Sequence, residues 1–178
     1  VYMHLSTLHK KRQLKKKPKV LNENFKPFIT VMVPSHNEES VITATIENVL
    51  AMDYDKFEVI VIDDRSDDNT ASVIKDLEKK YDKVTALVRD KSAFPGKSAV
   101  LNDAMLLAKG EAILVFDADA RVATDFLSKL VPHLEPEDVG AVQARKVISN
   151  KDYNLLTRCQ NNEYTLDAHF QIGRDAVK

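Results

Sequence analysis

The sequence predicts an α/β fold: a mostly parallel sheet with helices on both faces. Two observations carry that expectation. Short apolar runs alternate with segments whose apolar residues recur at helical spacing, the pattern of strand–helix–strand units. Polar and acidic clusters then follow the carboxyl ends of several runs, where an open α/β sheet gathers its ligands.

Taken in order, Phe28 to Val33 (FITVMV) reads as a first strand ended by Pro34. A helix is expected from about Glu38 to Ala51, burying Ile42, Ile46, Val49 and Leu50. Phe57 to Ile62 (FEVIVI) is the second strand, ending at Asp63-Asp64, and Asp68 to Lys80 the second helix, through Val73, Ile74 and Leu77. Val84 to Val88 is a third strand. Lys97 to Lys109 is a helix with Leu101, Ala104, Met105 and Ala108 at i, i+3, i+4, i+7, ended by Gly110. Ala112 to Phe116 is a strand expected to be buried on both faces. A helix from about Asp125 to His133 follows, with Thr124 as its N-cap. Val139 to Ile148 is expected as a fifth strand and Asp152 to about Gln171 as a last helix.

At 178 residues and 44% apolar, the chain can bury one substantial core. The single cysteine, Cys159, excludes an internal disulfide and any cysteine-based zinc site. The formal charge of −1 hides an uneven spread. Residues 1–26 hold eight Lys/Arg against one acidic residue, leaving 18 basic against 26 acidic residues from Pro27 onward. We read residues 1–26 as a basic juxtamembrane segment, 27–150 as a ligand-binding α/β domain, and 151–178 as a helix leading onward. A Lys-rich stretch of this kind suits the anionic cytoplasmic face of a membrane. Nucleic acid is not expected as a partner, because the domain behind the tail is acidic and few aromatics lie near it. No apolar run approaches the roughly 20 residues needed to cross a bilayer.

The acidic and basic clusters carry the chemistry. Asp117 and Asp119, in VFDADA, offer two acceptor-only carboxylates at the end of a strand, suited to Mg²⁺ or Mn²⁺ carrying a diphosphate. Asp63-Asp64-Arg65-Ser66-Asp67-Asp68-Asn69 is more polar than helix capping requires. Ser35 and Glu38 fit a capping box, S-x-x-E, as well as a site. Gly96-Lys97-Ser98 opens a helix and suits a phosphate. It is not a P-loop, since Lys91 stands where the first glycine belongs, and no G-x-G-x-x-G occurs.

The ordered motifs VPSHNEE (33–39), VIDDRSDDNT (61–70), GKSAVLNDA (96–104) and VFDADA (115–120) resemble family 2 glycosyltransferases with the GT-A fold, across roughly residues 28 to 150. The resemblance implies a metal-dependent inverting transfer from a UDP-sugar, with Mn²⁺ or Mg²⁺ as cofactor. It also implies roles by position. Pro34 and Glu38 would line the nucleotide pocket, Asp63 and Asp64 would meet uracil and ribose, and Lys97 the diphosphate. Asp117 would lie near ribose and metal, Asp119 would be the direct metal ligand, and Gln143 and Arg145 would border the sugar pocket.

The tail from Gly140 is similar to membrane-bound members that glucosylate diacylglycerol, which implies a lipid (otherwise a glycan) as acceptor. It also implies attachment to the cytoplasmic side of a membrane through flanking segments. No carboxylate stands in the family's later acidic motif, so the base that deprotonates the acceptor is expected beyond Lys178, in an acceptor half outside this chain. Two alternatives differ in class: a nucleotide-sugar-binding module without catalysis, and a haloacid-dehalogenase-like phosphotransferase using Asp117 as nucleophile. The latter pattern expects Thr or Val where Arg121 stands.

Overall fold

The computed structural model describes residue 22 and residues 24–144, 146–147, 152–163 and 165. The basic stretch of the first 21 residues lies outside them, as does Arg145. Asn22–Val139 form one compact unit, and the described residues from Gly140 onward fall in a second.

The first unit alternates strand and helix. Its elements are β1 (Ile29–Ser35), α1 (Ile42–Leu50), β2 (Phe57–Asp63), α2 (Thr70–Lys80), β3 (Val84–Val88), α3 (Lys97–Met105), β4 (Ala112–Val115) and α4 (Phe126–Leu130). A 3₁₀ turn, Val131–Leu134, continues α4. The four strands form a parallel sheet in the order β3-β2-β1-β4. β1 and β2 are inner strands with nearly every side chain buried, as their apolar runs predict.

The sheet has two unequal faces. Val31, Val33, Val59 and Val61 point to one, where Ile42, Ile46 and Val49 of α1 and Ile74 and Leu77 of α2 cover them. Met32, Ile60 and Ile62 point to the other and meet only Val100 and Ala104 of α3 among fully buried partners. That difference corrects the expectation for β4. Its register sets Ile113 beside Thr30 and Val115 beside Met32, on the face of α3. α3 packs across β1 and β2, so Ile113 and Val115 stay 38% and 39% exposed.

Several boundaries also move. Pro34 does not end β1; it pairs in register with Ile62. Phe116 N–H bonds to Met32 O on the β4 side (3.0 Å), so the N–H that Pro34 lacks would point the same way, past the end of β4. α1 begins at Ile42, not Glu38, and the capping box does not form: Ser35 Oγ donates to Ile62 O (2.9 Å) instead. α3 stops at Met105, which is half exposed. Thr124 is not the cap of α4; its carbonyl accepts from Asp53 N–H (2.7 Å), and Asp125 precedes the helix without a side-chain cap.

Residues 139–144 and 146–147 carry no strand, so the fifth strand is absent among the described residues. A strand exists only where its backbone finds a ladder partner, and alternation alone does not supply one. In the second unit, residues 155–163 are helical. Asn154 N–H donates to Thr157 Oγ1 (3.1 Å) and Thr157 N–H to Asn154 Oδ1 (2.9 Å), a reciprocal cap at the start of that helix.

Candidate functional site

The parallel register brings the carboxyl ends of β1, β2 and β4 side by side, which sets Ser35 beside Asp63 and carries the chain from Val115 into Asp117. Three loops therefore share one edge of the sheet. The first two are zipped together. Ser66 Oγ accepts from Asn37 N–H (2.8 Å), Asn37 Oδ1 accepts from Asp67 N–H (2.8 Å), and Glu39 Oε2 accepts from Asn69 N–H (2.8 Å). Glu38 N–H donates to Thr70 Oγ1 (2.9 Å), while His36 Nδ1 donates to Asp64 O (2.8 Å). Asn37 and Arg65 both adopt positive φ (57° and 62°), a conformation Asn tolerates and Arg enters at a cost of about 1–2 kcal/mol.

Asp63 is buried, and its Oδ1 has no hydrogen-bond partner among the described residues; Oδ2 accepts from Ser66 N–H (3.3 Å). A buried orphan acceptor is completed in solution by water or by a ligand donor. Asp64 is held differently. Its Oδ1 accepts from Arg65 Nε (3.0 Å) and Arg89 Nη1 (2.6 Å). Burial opposes its ionisation, but these bonds and the two positive charges outweigh it and hold the carboxyl below its ordinary range.

Gly96 opens α3 at φ 107°, where a side chain would be strained, and Lys97 is the first helical residue. Lys97 Nζ reaches Asp117 Oδ1 at 2.5 Å, joining the third loop to the start of α3. Asp119 is exposed two residues on. Ala118, between the aspartates, is fixed from below: its carbonyl accepts from Thr45 Oγ1 on α1 (2.6 Å). Asn48, also on α1, holds Val122 through both its backbone groups (3.0 and 2.8 Å).

Of the residues singled out from sequence, Pro34, Asp63, Asp64, Lys97 and Asp117 come to this one edge, with Glu38 in its first loop and Asp119 in its third. Gln143 is exposed in the second unit, and Arg145 lies outside the described residues. Sequence reasoning missed Arg89, Thr45 and Asn48. Thr45 and Asn48 leave a weak signal, two polar residues three apart that flank the buried Ile46 and Val49 in ITATIENVL. Arg89, in VRDKS, looks like any charge after a strand.

No three His, Cys, Asp or Glu side chains converge among the described residues. Asp117 and Asp119 alone still suit a hard divalent cation, which keeps waters and takes phosphate oxygens from its substrate.

A family model described as Glycosyl transferase family 2 matches residues 30–176. The chain belongs to that family. The Beta-monoglucosyldiacylglycerol synthase of Trichormus variabilis is 44% identical to it over 153 residues, which cover 85% of this chain and 33% of that protein. The Synechocystis protein of the same name is 38% identical over 150 residues, covering 83% and 31%. This family 2 chain thus spans about a third of the length of the curated relatives it matches. Among solved structures, the mannosyltransferase PcManGT from Pyrobaculum calidifontis, in complex with GDP-Man and Mn²⁺, superposes with a TM-score of 0.72 at 31% identity. That match covers 84% of this chain and 44% of the mannosyltransferase. The fold is GT-A, and the haloacid-dehalogenase-like alternative falls with it.

Proposed function

We propose that this chain binds the nucleoside-diphosphate end of a UDP-sugar and forms the donor side of an inverting glucosyltransferase acting on diacylglycerol. One observation carries the donor reading: Lys97, at the N-terminus of α3, pairs with Asp117 at the edge where Asp63 ends β2 and Asp64 follows it. A cation at a helix N-terminus beside paired carboxylates meets both needs of a metal–diphosphate, positive groups for the phosphates and oxygen ligands for the metal. Mn²⁺ or Mg²⁺, when bound, would neutralise charge developing on the departing diphosphate.

Asp119 and Asp117 would hold the metal, and Lys97 would turn from Asp117 to the phosphates. Asp63 would accept from a ribose hydroxyl and Asp64 from the base, with Pro34 and Glu38 beside them. Gln143 and Arg145 are assigned to the sugar. Glucose and diacylglycerol are supported by the names of the two cyanobacterial relatives. The mannosyltransferase was solved with GDP-mannose, so likeness leaves the base to local chemistry. The Lys-rich run of residues 1–26 would rest on the anionic cytoplasmic surface from which a lipid acceptor is taken, ahead of a donor domain at 27–150 and a connecting helix at 151–178.

Calorimetry with UDP-glucose tests the donor reading. Binding in the presence of Mn²⁺ is expected to weaken by about tenfold or more when the metal is omitted or Asp119 becomes Ala. Equal affinity with and without metal, in wild type and Asp119→Ala alike, would overturn it.

A further inference from the structure

Arg89 follows β3, and its side chain is only 3% exposed, yet every nitrogen of its guanidinium is engaged. Nη1 donates to Asp64 Oδ1 (2.6 Å), Nε to Asp103 Oδ2 on α3 (2.8 Å), and Nη2 to the carbonyl of Phe94 (2.8 Å). Three acceptors on three segments leave it no freedom to swing aside. Arg65 brings a second donor to the same Oδ1 (3.0 Å), from a backbone whose carbonyl is itself held by Lys91 Nζ (3.0 Å).

The two arginines thus spend one oxygen and spare the other. A carboxylate oxygen offers about two acceptor directions, and both on Oδ1 are taken. Asp64 Oδ2 carries no hydrogen bond among the described residues and is not sealed from solvent. The carboxylate, although ionised, presents a single acceptor atom in place of the two side-by-side oxygens of a free carboxylate.

We infer that Arg65 and Arg89 are specificity-determining residues that act through Asp64, making the nucleoside pocket select a base with one N–H on its recognition edge. The inference rests on the donor-binding reading above and refines it. An imide edge, as in uracil or thymine, has one N–H between two carbonyls and needs one acceptor. Guanine presents two adjacent donors that pair best with both oxygens of a carboxylate. With Oδ1 occupied, both guanine donors would have to converge on Oδ2. Two parallel N–H groups cannot both meet one oxygen in good alignment, so one is desolvated for a poor bond, and the site discriminates against that ligand.

The test measures the affinities of UDP and GDP for the whole 178-residue chain, with Mn²⁺ in excess, for wild type, Arg65→Ala and Arg89→Gln. Arg65 is partly exposed, so its variant is expected to fold even if loss of the buried Arg89 is not tolerated. Wild type prefers UDP. Each folded variant lowers the UDP-to-GDP preference by about fivefold, the weight of one net hydrogen bond, whereas a general loosening weakens both nucleotides together. An unchanged ratio in folded Arg65→Ala overturns the inference and leaves the donor reading standing, as does a wild type that binds both nucleotides equally. A wild type that binds neither overturns the donor reading and this inference with it.

Discussion

Single side chains hold the candidate metal loop more tightly than its exposure suggests. Asp117 and Asp119 both reach the surface, but the carbonyl between them is anchored by buried Thr45. Thr45→Val keeps the shape and removes the donor, leaving a buried carbonyl short of a partner. We expect a loss of about 1–3 kcal/mol in urea unfolding, together with weaker Mn²⁺-dependent UDP binding as the loop loosens. Stability lost with binding unchanged would mean that Thr45 supports the fold alone. Thr45 also marks a limit of reading by residue type. The carboxylates, Lys97 and Gly96 were legible because their chemistry is distinctive and they fall at strand ends. Arg89 was not, because its meaning lies in Asp64 and Asp103, 25 residues before it and 14 after.

Elements matter here mainly through the loops they present. The loops after β1 and β2 are joined by side-chain to backbone bonds rather than by a ladder, and Asp68 is one of the joints. Desolvation works against its ionisation, but bonds from the Thr70 hydroxyl and amide and from the Glu39 amide prevail and hold its carboxyl below the ordinary carboxylate range. A carboxyl depressed in the folded state lends stability in full above its unfolded value, and that contribution disappears as pH falls through the folded one. The Glu39 and Thr70 amide resonances should therefore titrate together with a midpoint below that of an unperturbed aspartate, while those of β1 and β2 hold. A midpoint no lower than that of an unperturbed aspartate would show that the joint is not made in solution. Periodicity placed α1, α2 and α3, with the end of α2 at Lys80 and the start of α3 at Lys97, but it set the starts of α1 and α2 too early and the end of α3 too late. The expected capping box failed because Ser35 had a better acceptor on the neighbouring strand, one that no local pattern could reveal.

At the scale of the molecule, the two faces of the sheet are unequally covered, and stability should report it. Ile60 and Ile113 are both strand isoleucines on the α3 face, one fully buried and one 38% exposed. Truncating Ile60 to Ala should cost about 2–5 kcal/mol by urea unfolding, and truncating Ile113 no more than about 1 kcal/mol. Similar losses at both positions would mean that the outer part of that face is covered in solution. The apolar run in β4 predicted burial on both sides because a sequence shows how apolar a strand is, not whether a helix arrives to cover it.

The chain's own letters were enough for the alternation of strand and helix, for the parallel sheet, and for Asp63, Asp64, Lys97, Asp117 and Asp119 as its polar edge. These follow from local rules, since hydrophobic period, turn chemistry and the position of charge at strand ends are written in neighbouring residues. Packing made the remaining choices. It left β4 half bare, gave the expected fifth strand no partner among the described residues, turned Ser35 from cap to cross-strand donor, and aimed two arginines at one oxygen of Asp64. Each depends on contacts between residues far apart in sequence, whose geometry exists only once the sheet has formed.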